Sequence, residues 1–307
     1  MRLLAPLTWV VALLLVAAVP VARAALAPGY GEFEVTAGTP DAPLPVKVYY
    51  FRPPAAGRDT PVVFVIHGAA RDPRAARESW VSYARQHRFI VVAPEFSSEA
   101  FPGSWRFQMG NVFTATGVRK PRAAWAFSAV EKIFDVLRND YGLQAERYDL
   151  FGHSAGAQFV QRMVLFMPQA RIERAVAANA GWYTLPEDRV PLPYGLGGAS
   201  ERADELRLAF DVHLTLMLGS RDTDPNHRLL NRSAGAMAQG RNRFERGRAF
   251  YAAARNAARA MGVPFHWKLR VVEGVGHSAR RMAGPAAEVF FPPPAAVRLT
   301  SHKERKP

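Results

Sequence analysis

Tyr148-Asp149-Leu150-Phe151-Gly152-His153-Ser154-Ala155-Gly156 joins a short apolar run to a segment of helical composition. G-x-S-x-G in that setting is the nucleophile elbow, a sharp strand-to-helix turn that holds a serine hydroxyl out for attack. The serine backbone in such a turn is strained, and the strand and helix beside it approach closely. Side chains at the flanking positions would collide, so the turn demands glycine at 152 and 156. The bare pattern is common in a chain rich in Gly, Ala and Ser. The apolar run before it and the helical segment after it give it weight.

Outward from this turn, 307 residues suffice for one α/β domain of about 250 residues with a large core. Apolar residues make up 49% and charged residues 21%, a globular balance, and no internal repeat of about 20–50 residues is apparent. Residues 46–51 alternate as a strand that Pro53-Pro54 breaks. Residues 61–67 carry Val62-Val63-Phe64-Val65-Ile66, short and β-branched, which predicts a strand covered on both faces. Residues 89–93 read the same way and stop at Pro94.

Helical spacing runs over 74–87, with Trp80, Tyr83 and Ala84 on one side, and over 122–141 through Phe127, Val130, Ile133, Phe134 and Leu137. Further strands are expected at 147–151, 175–178 and 213–218, with a last core strand at 266–272. Helices are expected from the elbow to about Met167 and over 241–261. Segments 95–121 and 181–210 are aromatic and irregular, the second reading as an excursion over the top of a sheet. Strands alternating with helices imply an α/β fold with a mostly parallel central sheet and helices on both faces. Sites on such sheets lie beyond the carboxyl ends of the strands.

Each candidate for chemistry follows a predicted strand. Ser154 follows 147–151, Asp222 and Asp224 follow 213–218, and His277 follows the last strand after Gly274-Val275-Gly276. Ser, Asp, His is the chain order of the triad in this kind of sheet. A serine hydroxyl needs an imidazole to take its proton, and the imidazole needs a carboxylate to fix its tautomer and stabilise its cation. Asp222, three residues past Gly219, is favoured as the acid. Asp224 precedes Pro225, which pushes it towards extended backbone, and an Asx-turn is its alternative role. The tetrahedral intermediate needs two N–H donors. Ala155, after the serine, is one candidate, and Ala69, after His67-Gly68, is the other. His67 and His153 read as local packing or hydrogen-bonding residues.

Residues 1–24 are a separate unit. Met1-Arg2 gives a positive start, residues 3–21 are almost wholly apolar, and Ala22-Arg23-Ala24 ends on small residues. That is the layout of a secretory signal peptide, with an uncleaved membrane anchor as the alternative. The expected division is a leader at 1–24, one domain at 25–292 and a basic tail at 293–307, in a secreted or periplasmic protein. The absence of cysteine excludes a thiol nucleophile, a lipidated cysteine and cysteine metal sites. With no H-E-x-x-H, carboxylate cluster or P-loop in the sequence, neither a metal nor a cofactor is implied. The net charge is +14, or +12 without Arg2 and Arg23. The arginines are scattered through predicted helices with no basic-aromatic run, so no nucleic-acid partner is expected.

His67-Gly68, Gly152-His153-Ser154-Ala155-Gly156, Gly219-x-x-Asp222 and Gly274-Val275-Gly276-His277 together resemble the α/β-hydrolases over roughly residues 45–290. More narrowly they are similar to secreted esterases grouped with polyhydroxybutyrate depolymerases and feruloyl esterases. The resemblance implies Ser154, Asp222 and His277 at the catalytic positions and Ala69 and Ala155 at the oxyanion hole. It implies a carboxylic ester hydrolase acting through an acyl-enzyme on a small-molecule or polymeric ester. Two alternatives stay open: a peptidase or amidase on the same machinery, and a non-catalytic envelope binding protein that keeps the fold.

Overall fold

The apolar runs become strands of one eight-stranded sheet in the computed structural model, which describes residues 25–114, 116–199 and 203–293. The leader at 1–24 and the tail from 294 onward lie outside the described residues. The strands are β1 (Gly29–Thr39), β2 (Ala42–Arg52), β3 (Val62–Ile66), β4 (Ile90–Pro94), β5 (Tyr148–His153), β6 (Ile172–Ala178), β7 (Leu214–Gly219) and β8 (Lys268–Val272). They lie in the order β1-β2-β4-β3-β5-β6-β7-β8. β1 and β2 form an antiparallel hairpin, and β2 pairs antiparallel with β4. Every pairing from β4 to β8 is parallel.

The helices are α1 (Pro73–Glu78), α2 (Val81–His87), α3 (Gly103–Arg106), α4 (Ala126–Asn139), α5 (Ala155–Phe166), α6 (Ala203–Asp211), α7 (Ala234–Met237), α8 (Arg243–Ala260) and α9 (Ala279–Phe290). Successive side chains of a strand point to opposite faces, and β3 shows why its run lacks polar residues. Val62, Phe64 and Ile66 enter one core layer with Phe134 and Leu137 of α4 and Phe159 of α5. Val63 and Val65 enter the other, with Trp80 and with Met282, Ala286 and Phe290 of α9. Covered on both sides, β3, β4, β5 and β7 are buried along their whole length. Among the described residues no helix is long and apolar enough to cross a membrane.

Four local expectations need correction. The helix expected at 74–87 is two helices, because Trp80 at the junction is fully buried against Phe151 and Phe290. Ser79 Oγ also donates to the Ala76 carbonyl, competing with continuation of the helix. The excursion at 181–210 closes with α6, whose Ala209 and Phe210 are buried in the core. The strand expected at 266–272 is shorter and forms the sheet edge, partly exposed, and not a core strand. At the other edge β1 adds a strand before residue 46, with Phe33, Val35 and Ala37 turned inward and Glu32, Glu34 and Thr36 outward.

Close approach explains the two elbow glycines. A Cβ on Gly152 would lie 2.2 Å from the Gly156 carbonyl oxygen, and one on Gly156 would lie 2.2 Å from that of Ile66. Gly152→Ala is expected to destabilise the protein by about 3 kcal/mol, lowering Tm by about 6–12 °C. Gly57→Ala, where a Cβ would meet nothing within 4 Å, should leave Tm within about 2 °C. Thermal unfolding of the two variants checks the pair.

Candidate active site

Ser154 sits between β5 and α5 with φ 58° and ψ −114°. This left-handed backbone costs a non-glycine residue about 1–3 kcal/mol, and it lifts the hydroxyl off the sheet. Asp222 follows β7 and His277 follows β8, so all three side chains rise from one rim. His277 Nε2 lies 3.0 Å from Ser154 Oγ, and its Nδ1 lies 2.7 Å from Asp222 Oδ2. The acid side chain is 4% exposed and the imidazole 15%. Asp224, by contrast, is exposed and accepts the Asn226 N–H at 2.8 Å, an Asx-turn turned away from the imidazole. The structure therefore brings Ser154, His277 and Asp222 together and leaves Asp224 out.

The strand ends are tied to each other by Asn179, directly after β6. Its amide donates to the Gly276 carbonyl at 3.1 Å, and its oxygen accepts the Gly219 N–H at 2.8 Å. Asn179 thus fixes the loop before His277 against the end of the strand that carries Asp222. A Cβ on Gly219 would fall 2.3 Å from the Val275 carbonyl oxygen, so this contact also needs glycine. The second cross-tie is Arg243, the first residue of α8, only 2% exposed. Its guanidinium lies 3.3 Å from Asp222 Oδ1 and 3.2 Å from His227 Nδ1. Sequence reading finds neither residue, since nothing local marks a contact made across 21 or more positions.

The loop after β3 passes directly by the serine: a methyl on Gly68 would lie 3.8 Å from Ser154 Cβ. Ala69 lines both hollows that meet at Ser154. Ala155 is the first residue of α5, where backbone N–H groups have no intrahelical acceptor. The loop is held from behind by His67, which accepts the Phe96 N–H at Nε2 (3.0 Å) and donates from Nδ1 to the Gly68 carbonyl (3.0 Å). Only the neutral Nδ1–H ring makes both bonds. Burial pulls its pKa from 6.5 to about 4, with Arg71 adding to the shift and the Gly68 bond opposing it. Arg71 also donates to the carbonyls of Phe101 and Gly103, each at 3.1 Å.

His153 is buried with its ring 4.6 Å from that of His277. Burial first, then the charges of His277 and Arg243, push its pKa well below the usual range, so it packs against His277 as a neutral ring. The larger hollow, about 1060 Å³, runs from His277 past Ser154 towards α1 and α2, and the smaller, about 320 Å³, lies beside Ala155, Trp182 and Arg228. Of the aromatic residues in the irregular segments, Phe101, Phe107 and Tyr183 are core, Trp105 is exposed, and Trp182 reaches the small hollow. Among the described residues no group of three or more His, Asp or Glu side chains is placed to hold a metal.

The sheet order, the elbow and the rim define an α/β-hydrolase. Poly(aspartic acid) hydrolase-1 from Sphingomonas sp. KT-1 is similar at 40% identity, over 87% of this chain and 100% of that one, with TM-score 0.82. LpqC, a poly(3-hydroxybutyrate) depolymerase from Bordetella parapertussis, is similar at 34% identity over 86% and 90%, with TM-score 0.82. An S-formylglutathione hydrolase from Agrobacterium tumefaciens shares the fold at 17% identity over 85% and 93%, with TM-score 0.53. No protein-family model and no curated protein matches the chain. The chain belongs to the esterase and depolymerase group of the α/β-hydrolases, and it is a hydrolase.

The buried histidines make stability pH-dependent. The unfolded chain protonates His67 near 6.5 and the folded protein only near 4. Its contribution is therefore full above about pH 6.5 and is lost as pH falls towards 4, by about 3 kcal/mol. His153 acts in the same direction. Urea unfolding at pH 7 and pH 5 should show about 2 kcal/mol of this loss, and His67→Gln should flatten the slope.

Proposed function

We propose that the protein is an exported serine hydrolase that cleaves carboxylic esters through an acyl-enzyme, with Ser154 as nucleophile, His277 as general base and Asp222 as its orienting acid. The observation that carries this reading is the unbroken chain Asp222–His277–Ser154, at 2.7 and 3.0 Å, on the C-terminal rim of the sheet. His277 Nε2 takes the hydroxyl proton as Ser154 Oγ attacks the ester carbonyl, and Asp222 stabilises the imidazolium. The N–H groups of Ala69 and Ala155 receive the oxyanion. His277 then protonates the departing alcohol, and a water activated by the same imidazole releases the acid.

Ser154→Ala should reduce kcat on p-nitrophenyl butyrate by about 10⁶-fold and abolish labelling by a fluorophosphonate. Equal turnover by variant and wild type would overturn the reading. Asp222→Asn should lower kcat by about 10⁴-fold, while Asp224→Asn stays within about twofold, because its carboxylate serves a turn.

A second reading, amide cleavage in an anionic polymer, draws support from the relative named for poly(aspartic acid). Arg228 in the small hollow and the net charge of +14 favour an acidic substrate. The other relative is named for a polyester. Turnover of matched ester and amide oligomers, neutral and carboxylated, separates the two. Export rests on the apolar run at 3–21 followed by Ala22-Arg23-Ala24. An intact mass beginning at Ala25 in the exported protein checks it.

A further inference from the structure

We propose that Arg243 is a positioning residue for the Asp222–His277 pair, a cationic clamp that fixes the carboxylate and places a positive charge behind it. The inference rests on the reading of His277 as the base. Asp222 divides its two oxygens between two partners: Oδ2 faces His277 Nδ1 at 2.7 Å and Oδ1 faces Arg243 Nη1 at 3.3 Å. Asp222 and Arg243 are 4% and 2% exposed, so water does not substitute for either partner. Arg243 and Asp222 form a buried ion pair.

The other end of the clamp reaches the wall of the substrate hollow. Arg243 Nη2 donates to His227 Nδ1 at 3.2 Å, and the same nitrogen accepts the Leu229 N–H at 3.2 Å. Leu229 lines both hollows that meet at Ser154. His227 must be neutral to accept, and burial followed by the charges of Arg243 and His277 lowers its pKa accordingly. One guanidinium therefore joins the acid of the site to the loop against which substrate would lie. The backbone runs alongside: the Phe244 N–H, at the start of α8, donates to the Asp222 carbonyl.

The clamp is a poor device for stability alone. A buried arginine carries a desolvation penalty that apolar residues of the same volume avoid, and Arg243 Nε has no partner. A buried group left partly unsatisfied calls for an explanation, and here the Asp222 contact supplies one. The Nη1–Oδ1 contact holds the second carboxylate oxygen while Nη2 is anchored on His227, which opposes rotation of the carboxylate away from His277. The charge stands among the other groups that face the imidazole, His153 and His227 at ring separations of 4.6 and 5.4 Å and Arg280 in the larger hollow.

These two effects have separable signatures. Removing the charge makes the imidazolium easier to form, so the acid limb of the pH–rate profile moves to higher pH. Simple collapse of the Asp222–His277 contact would move it to lower pH, because the cation would lose its counter-charge. Arg243→Met should lower kcat on p-nitrophenyl butyrate by about 10- to 100-fold. Its acid limb in kcat/KM should rise by about 0.5–1 pH unit. Arg243→Lys, which keeps the charge without the fork, should keep the wild-type limb and lose about 3- to 10-fold in kcat.

A folded Arg243→Met variant with wild-type kcat overturns the proposal, as does one whose acid limb stays or falls. Should that variant fail to fold by circular dichroism, Arg243→Lys decides: unchanged kcat overturns the clamp, and a several-fold loss at an unmoved limb supports it. Ser154→Ala measured alongside separates the two readings, since turnover surviving in it faults the assignment of the nucleophile and not the clamp.

Discussion

The close approach of β3, β5 and α5 at Gly152 and Gly156 is the constraint on which the site depends. With carbonyl oxygens 2.2 Å from where the Cβ atoms would stand, no side chain fits between these elements. Their contact sets the position of the turn, and the turn forces Ser154 to φ 58°. Strain of this kind persists only where surrounding structure over-determines it. Here β5 is hydrogen-bonded between β3 and β6, and α5 is buried along its length, so the serine cannot relax without moving the middle of the sheet.

A rigid Ser154 keeps its contact with His277 only if His277 and Asp222 are equally fixed, and they come from the far side of the sheet. Asp222 and His277 follow adjacent parallel strands, which gives them similar height but leaves their loops free to splay. Asn179, Arg243 and the packing of Val275 on Gly219 remove that freedom. On the other side His67 and Arg71 do the same for the loop that carries Ala69. The rim is thus a set of loops fastened by polar side chains. Its precision comes from those fastenings as much as from the strands.

How much of this is legible in the chain follows from the range of each cause. The elbow is legible because its steric demand is local: two glycines flank a serine between an apolar run and a helix. Strands covered on both faces are legible because Val62-Val63-Phe64-Val65-Ile66 tolerates no polar residue. β1 carries an equally local signal, Phe33, Val35 and Ala37 alternating with Glu32, Glu34 and Thr36, although the expected strands begin only at residue 46. Leu206, Ala209 and Phe210 likewise give α6 helical spacing at the end of a segment expected to be irregular. The break at Trp80 is not legible, since Phe151 and Phe290, which draw that ring inward, lie far away in sequence. Nor are Asn179 and Arg243, whose roles exist only once β6, β7 and α8 have met.

A chain without cysteine has no covalent cross-links for its long loops, and buried arginine takes that place. Arg246, fully buried on α8, donates to the carbonyls of Gly181, Asn231 and Gly240, gathering both segments that cover the rim onto one helix. Arg162 on α5 reaches Thr184 Oγ1 and the carbonyls of Gln108 and Gln158, and stacks 4.0 Å from the Trp182 ring. A guanidinium presents five donors in a rigid fork, so one side chain can satisfy several loop carbonyls that would otherwise be buried unpaired. The cost is desolvation, which pulls Arg162 down to about 9. Neutral carbonyls and a hydroxyl hold these two cations. Arg243 stands apart because its partner is a carboxylate, that of Asp222, whose other oxygen faces His277.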